Sequence, residues 1–328
     1  MRIWRSLQEV PADLGRTVVT VGNFDGVHLG HQHVISRARE VAVGLGTEQL
    51  VAVTFDPHPI AVLRPEHAPP TLTTVEARNE LLDAAGVDDV LVLPFTREIA
   101  DWSPERFVKE ILVDALHANA VVVGVNFRFG SKAAGDLATL RELGERHDFA
   151  TEGIALDGGP QVWSSTYVRN CLAAGDVEGA AEALGRPYSV RGVVVEGDKR
   201  GRALGFPTAN VPTAGIRAVP ADGVYAGWLR PSTGSVTEAA GSGSGPMPAA
   251  ISVGTNPTFE GERERRVESY VLDRDDLELY GAEVEVSFVA RIRGMKRFDS
   301  VDHLVATMAE DVDRARLLLD VPEVSGPR

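Results

Sequence analysis

Cysteine is all but missing from this chain: Cys171 is the single example in 328 residues. That excludes an intrachain disulfide framework and a cysteine-rich zinc site. Basic residues are short as well, 33 against 47 acidic, for a net charge of −14. Affinity for a phosphate backbone comes from basic surface, so the balance argues against a general nucleic-acid binder. It does not argue against a small phosphorylated ligand, because its site needs only local positive potential. The sequence has no apolar run long enough to span a bilayer, no internal repeat and no Gly-x-x-x-x-Gly-Lys-Ser/Thr loop, and no secretory leader is expected. Hydrophobic residues make up 44% and charged residues 24%, the balance of an ordinary globular protein. The expectation is a cytoplasmic, non-membrane enzyme of about two domains, with self-association left open.

What is present is organised around Gly22-Asn23-Phe24-Asp25-Gly26-Val27-His28-Leu29-Gly30-His31. A β-branched run over 17–21 precedes it, and a helical pattern over 32–43 follows. A glycine-rich turn between strand and helix turns backbone N–H groups and a helix N-terminus toward an anion. His28 and His31 then stand where a phosphate sits, as hydrogen-bond donors. Taken alone, the turn also fits a plain strand–helix connection with two histidines. No carboxylate spacing around His28, His31 and His33 resembles a metal-ligand frame.

Up to about residue 186, strand-like runs at 17–21, 50–55, 89–94, 120–125 and 150–155 alternate with helical patterns such as 74–85 and 104–116. This predicts a doubly wound α/β domain with a mostly parallel sheet, whose ligands gather beyond the carboxyl ends of the strands. Four clusters fall there: the opening turn, Phe55-Asp56-Pro57-His58-Pro59, Gly124 to Gly130 with Asn126, Phe127 and Phe129, and Trp163 to Arg169 with Ser164, Ser165 and Thr166. The Ser-Ser-Thr run also reads as a helix N-cap. His58, between two prolines, reads as structural or peripheral to catalysis.

The pattern changes at Arg186-Pro187, which predicts domains 1–186 and 187–328. Short β-rich runs at 188–196, 223–229, 249–253, 266–272 and 283–293 suggest a small antiparallel barrel or sandwich. A Gly/Ser-rich connection at 231–248 is assigned no chemistry, and apolar spacing over 300–319 predicts a terminal covering helix. Gly197-Asp198-Lys199-Arg200-Gly201-Arg202 is a basic turn fit to cover a nucleotide, followed by Gly205, Phe206 and Pro207. In an extended segment Thr208 and Asn210 share a face, as an Mg²⁺–phosphate site needs. Glu268 would share the face of Tyr270 and Leu272; turned inward, it serves as a general base toward a hydroxyl, and taken alone it reads more simply as a solvated strand glutamate.

Together the first-domain motifs resemble the adenylyltransferase module of bacterial bifunctional riboflavin kinase/FAD synthetases. The carrying residues are Gly22, Phe24, Asp25, Gly26, His28, Gly30 and His31, the Thr54–Pro59 run, Asn126-Phe127 with Phe129-Gly130, and Ser164-Ser165-Thr166-x-x-Arg169. The resemblance implies a Rossmann-like nucleotidyltransferase fold. His28 and His31 would polarise ATP phosphates, with Gly22, Phe24, Gly26, Ser164, Ser165, Thr166 and Arg169 holding the nucleotide. Asn126, Phe129 and His58 would stand on the FMN side. The second half is similar to the riboflavin kinase module through Leu204–Asn210, Gly223–Ala226, Gly254–Phe259 and Val267-Glu268 with Leu272-Asp273. By that likeness Gly197, Lys199, Gly201, Gly205 and Pro207 serve ATP, Thr208 and Asn210 bind Mg²⁺, and Glu268 takes the ribityl hydroxyl proton. Riboflavin, FMN and ATP are the implied partners. An enzyme with one active module and a non-enzymatic flavin sensor are the competing readings.

Overall fold

A computed structural model describes residues 1–47, 49–155, 163–196, 206–213, 217–232, 245–255 and 265–322. The chain divides into two compact units, Met1–Ser165 and Thr166–Arg328. This division lies well before the change of sequence pattern at Arg186-Pro187.

The first unit holds six parallel strands: β1 (Arg2–Trp4), β2 (Thr17–Val21), β3 (Gln49–Asp56), β4 (Asp89–Pro94), β5 (Ala118–Gly124) and β6 (Ala150–Ile154). Their order is β1-β4-β3-β2-β5-β6. All five residues of β2 are buried, as a central strand covered on both faces requires. Side chains alternate between two cores. Val19, Val21, Val51, Val53, Leu91, Leu93, Val121 and Val123 face one layer, and Val18, Leu50, Ala52, Val90, Val92, Ala120 and Val122 face the other. The helix Leu29–Gly44, α1, closes the second layer with Ile35, Ala38 and Ala42. The expected helix over 104–116 is one α-helical turn, Pro104–Phe107, that runs on as a π-helix, Val108–Ala115.

From β2 the chain crosses to β3 and β4 on one side and later to β5 and β6 on the other. The sheet thus has its topological switch point at β2, where the crevice beyond the strand ends forms a ligand site. The glycine-rich turn begins there.

The second unit begins inside the helix Ser165–Ala174, and the helix Val177–Leu184 follows. Asp176 caps the latter by accepting the Gly179 N–H at 2.8 Å, and Gly185 ends it at φ 69°, the left-handed position that favours glycine. Six antiparallel strands follow: β7 (Tyr188–Val193), β8 (Thr208–Pro212), β9 (Gly223–Pro231), β10 (Met247–Thr255), β11 (Arg265–Val271) and β12 (Glu283–Gly294). Ordered β7-β12-β9-β10-β11-β8, they form a half-barrel. Among the described residues a bridge from the Val195 N–H to the Asn210 carbonyl at 2.9 Å links its two edges. Tyr225, Leu229, Ile251, Val253, Val267, Val284, Val286 and Phe288 are fully buried. The terminal helix Val301–Leu318 packs with Ala226, Ala250, Tyr270 and Leu272. Arg293 anchors it through two bonds to Asp311, 2.8 and 2.6 Å long.

Candidate active sites

The turn after β2 is strained. Phe24, Gly26 and Val27 have φ of 48°, 84° and 41°, and left-handed backbone at a β-branched residue costs on the order of 1–3 kcal/mol. Surrounding groups hold it there. The buried Asp25 carboxylate accepts the Leu72 N–H at 3.0 Å and both the N–H and hydroxyl of Thr73 at 3.1 Å. The Asp25 carbonyl accepts the Ser165 hydroxyl at 2.8 Å. The Asn23 carbonyl accepts Thr54 Oγ1 at 3.1 Å and Arg78 Nη1 at 2.8 Å. Asp25 stood inside the sequence motif without a role, and Arg78 left no local signal: it is a buried arginine on the helix Val75–Ala84.

His28 is the N-cap of α1, and its Nδ1 accepts the His31 N–H at 3.4 Å. In the neutral ring that bond leaves the proton on Nε2. The His28 and His31 rings stack with centroids 3.7 Å apart at 23°, and Phe24 meets His31 edge-on at 5.1 Å. Gly30 permits the stack. A Cβ there would stand 3.1 Å from His28 Nδ1 and 3.3 Å from the Trp163 carbonyl. His31 Nδ1 is enclosed without a hydrogen-bond partner. Burial, followed by repulsion from His28, pushes the His31 pKa well below its ordinary value. His31 is thereby held neutral beside the positive end of α1.

Two of the other strand-end clusters reach this turn, through His58 and Ser165. His58 Nε2 lies 3.3 Å from the Asn23 amide, and its Nδ1 accepts the Ile60 N–H at 3.2 Å, capping the helix Pro59–Leu63. The Ser165 hydroxyl bonds the turn as described, and Ser164 adjoins it. Asn126 is exposed in the turn after β5. Phe129 departs from its expected flavin role: it is buried in the core, stacked on Phe127 at 5.3 Å and against Phe107 at 5.6 Å. Gly22 admits the Phe24 ring, which a Cβ would meet at 3.2 Å. Thr166 and Arg169 follow Ser165 along its helix, exposed and half-buried.

In the second unit, Asn210 pairs with Glu268, which pairs on its other side with Ser252; Thr208 pairs with Tyr270. Cross-strand partners share a face, so β8, β10 and β11 bring Thr208, Asn210, Glu268 and Ser252 into one polar group. Asn210 is buried, and its Nδ2 donates to the Thr208 carbonyl at 3.2 Å and to Thr208 Oγ1 at 3.4 Å. The barrel interior is lined instead by Val267, Ser269 and Val271. Glu268 consequently stands on the outer face with Tyr270, half-buried, rather than pointing inward. The strand's apolar alternation decides this: the fully apolar register takes the core. Phe206 meets Tyr270 edge-on at 5.2 Å, which seats Pro207 at the entrance to β8. Gly197, Lys199, Gly201 and Gly205 lie outside the described residues, as does the run 256–259. Among the described residues no three His, Cys, Asp or Glu side chains cluster to hold a metal.

A parallel α/β unit with paired histidines at its switch point, followed by a half-barrel that sets Thr-x-Asn beside a glutamate, defines a two-part nucleotide-using transferase. Comparisons with known proteins agree with each half. Residues 10–165 match the FAD synthetase family and residues 184–319 the riboflavin kinase family. A bifunctional riboflavin kinase/FMN adenylyltransferase of Escherichia coli K12 is 36% identical over 91% of this chain and 91% of its own. One from Pseudomonas fluorescens is 36% identical over 97% and 98%. A crystal structure described as a macrolide-efflux protein from Streptococcus pneumoniae superposes with a TM-score of 0.83 at 30% identity, covering 96% of this chain and 98% of that one. Among the described residues no helix is long and apolar enough to cross a membrane.

The chain belongs to the bifunctional riboflavin kinase/FMN adenylyltransferase family. Its N-terminal FAD synthetase domain transfers the adenylyl group and its C-terminal domain phosphorylates riboflavin, both using ATP.

Proposed function

We propose that adenylyl transfer to FMN is carried by the domain 1–186 and riboflavin phosphorylation by 187–328, each at its own site. In the first, an FMN phosphate oxygen attacks the α-phosphorus of ATP and pyrophosphate leaves. His28 and His31 donate N–H bonds to the α-phosphate oxygens as charge builds there, and positioning with electrostatics supplies the rate. Gly22, Phe24 and Gly26 shape the turn. Ser164, Ser165, Thr166 and Arg169 serve the leaving phosphates, and Asn126 and His58 stand on the FMN side. The observation that carries this reading is the His31 N–H bond to His28 Nδ1, which leaves His28 Nε2 as the donor.

In the second site the riboflavin 5′-hydroxyl attacks the γ-phosphorus of ATP, its proton passing to Glu268, and ADP leaves. Asn210 Nδ2 donates to Thr208 Oγ1 at 3.4 Å, which keeps the two side chains together. The Thr208 hydroxyl and the Asn210 amide oxygen are hard oxygen ligands of the kind that fits Mg²⁺, which keeps most of its waters and takes phosphate oxygens as further ligands. When bound, the ion offsets charge on the transferred phosphates. Pro207 and the basic turn with Lys199 border the nucleotide. FMN made here is the acceptor of the first reaction, a task that suits the cytoplasm.

Glu268→Gln tests the assignment. FMN formation should fall on the order of 100-fold or more, while FAD formation from supplied FMN holds at the parent rate. An unchanged kinase rate, or loss of both activities in a folded protein, would refute separate sites with Glu268 as base.

A further inference from the structure

We propose that Arg78 is a positioning residue for adenylyl transfer: by holding the Asn23 carbonyl it keeps the left-handed turn that delivers His28. The inference rests on the assignment of His28 to the α-phosphate.

The turn spans Asn23 to Val27, and three of its residues have positive φ. Such a backbone persists only where its surroundings over-determine it. One short segment grips it at two points. Leu72 and Thr73 bind the Asp25 carboxylate. Thr74 caps the helix Val75–Ala84 by accepting the Ala77 N–H at 3.1 Å. One turn along that helix, Arg78 Nη1 donates to the Asn23 carbonyl at 2.8 Å. Residues 72–78 thus hold the turn ahead of and behind Phe24 at once.

The choice of arginine is informative. A buried guanidinium is costly unless its charge is answered and its donors are used. Arg78 is 6% exposed, and its Nε is buried with no hydrogen-bond partner. Burial lowers its pKa, while Asp25, Asp56 and Glu76 hold it charged. A neutral donor would satisfy one carbonyl at less cost. The arginine also keeps a positive charge beneath the turn where a triphosphate must sit, and it offsets Asp25, whose negative charge would otherwise face that triphosphate.

Thr54 supplies an independent handle, since its hydroxyl bonds the same Asn23 carbonyl at 3.1 Å. Two donors acting through one acceptor should be energetically coupled. Steady-state kinetics of the full chain should be measured for Arg78→Met, Arg78→Lys, Thr54→Val and the Arg78→Lys/Thr54→Val pair. Riboflavin phosphorylation in the same samples reports folding. Misplaced reacting groups lower kcat, so Arg78→Met should reduce adenylyl-transfer kcat about 10- to 100-fold with the KM for ATP within about threefold. Arg78→Lys should recover part of that loss, and the paired variant should depart from the product of its single effects. The kinase rate should stay within about twofold of the parent. Adenylyl transfer at parent kcat in Arg78→Met would overturn the inference, as would a loss carried wholly by KM. If Arg78→Met fails to fold, strictly multiplicative effects in the milder pair would do the same. A His28→Ala variant that still makes FAD at the parent rate would overturn the underlying assignment, separately from the Arg78 result.

Discussion

The Nδ1 atom of His28 accepts the backbone N–H of His31 at 3.4 Å, and the two rings stack with centroids 3.7 Å apart. A single hydrogen bond both caps α1 and chooses the tautomer of the first histidine. The stack makes two positive charges mutually unfavourable, and His31, whose Nδ1 is enclosed, is held neutral.

A pH dependence of stability follows. The His31 pKa is lower in the folded chain than in the unfolded one, so on acidification the unfolded state takes up the proton first. Its contribution to stability is complete above the ordinary imidazole value of about 6.5 and is lost as pH falls from there toward the depressed folded value. The slope in that window approaches about 1.4 kcal/mol per pH unit. Chemical unfolding followed from about pH 8 to about pH 5 should show this slope in the parent and a shallower one in His31→Gln. Equal slopes would contradict the enclosed, neutral ring.

Gly30→Ala separates the site from the helix that bears it. Alanine favours a helix interior over glycine by up to about 1 kcal/mol, so α1 should not weaken by propensity. The new Cβ would press on the His28 ring at 3.1 Å and on the Trp163 carbonyl at 3.3 Å. Adenylyl transfer should drop about tenfold through displacement of His28, with riboflavin phosphorylation unchanged. Parent-like FAD formation would show that the stack tolerates a shift.

Much of this was legible in the sequence because it is local. The run 17–21, the glycine-rich turn and the apolar spacing of α1 lie within one stretch, and they became β2, the switch-point turn and its helix. The two layers of the first sheet follow from period-2 alternation in β3, β4 and β5. Less was legible where partners are distant. Arg78 reaches Asn23, and Leu72 and Thr73 reach Asp25, across roughly fifty residues of chain, and no periodicity marks such contacts. β1 has only three residues and pairs at a sheet edge, too short for a pattern. Phe129 and Glu268 show a third limit. Burial took the phenylalanine into the core, and the apolar register of β11 set the glutamate on the outer face beside Asn210, where its proposed role as base is kept.

Thr208→Val keeps the shape of β8 while removing the hydroxyl beside Asn210. A hard cation losing one of few protein oxygens should bind more weakly. The Mg²⁺ concentration giving half-maximal riboflavin phosphorylation should rise about tenfold, with the requirement for adenylyl transfer unmoved. An unchanged kinase requirement would remove Thr208 from the ion's site.

Two separable sites on one chain form the central claim, and paired substitution of the stacked histidines tests it most directly. His28→Ala/His31→Ala should be given riboflavin and Mg-ATP, with FMN and FAD resolved chromatographically over time. The account predicts FMN accumulating at the parent rate with FAD formation abolished. FAD appearing at the parent rate, or neither product in a folded protein, would contradict it.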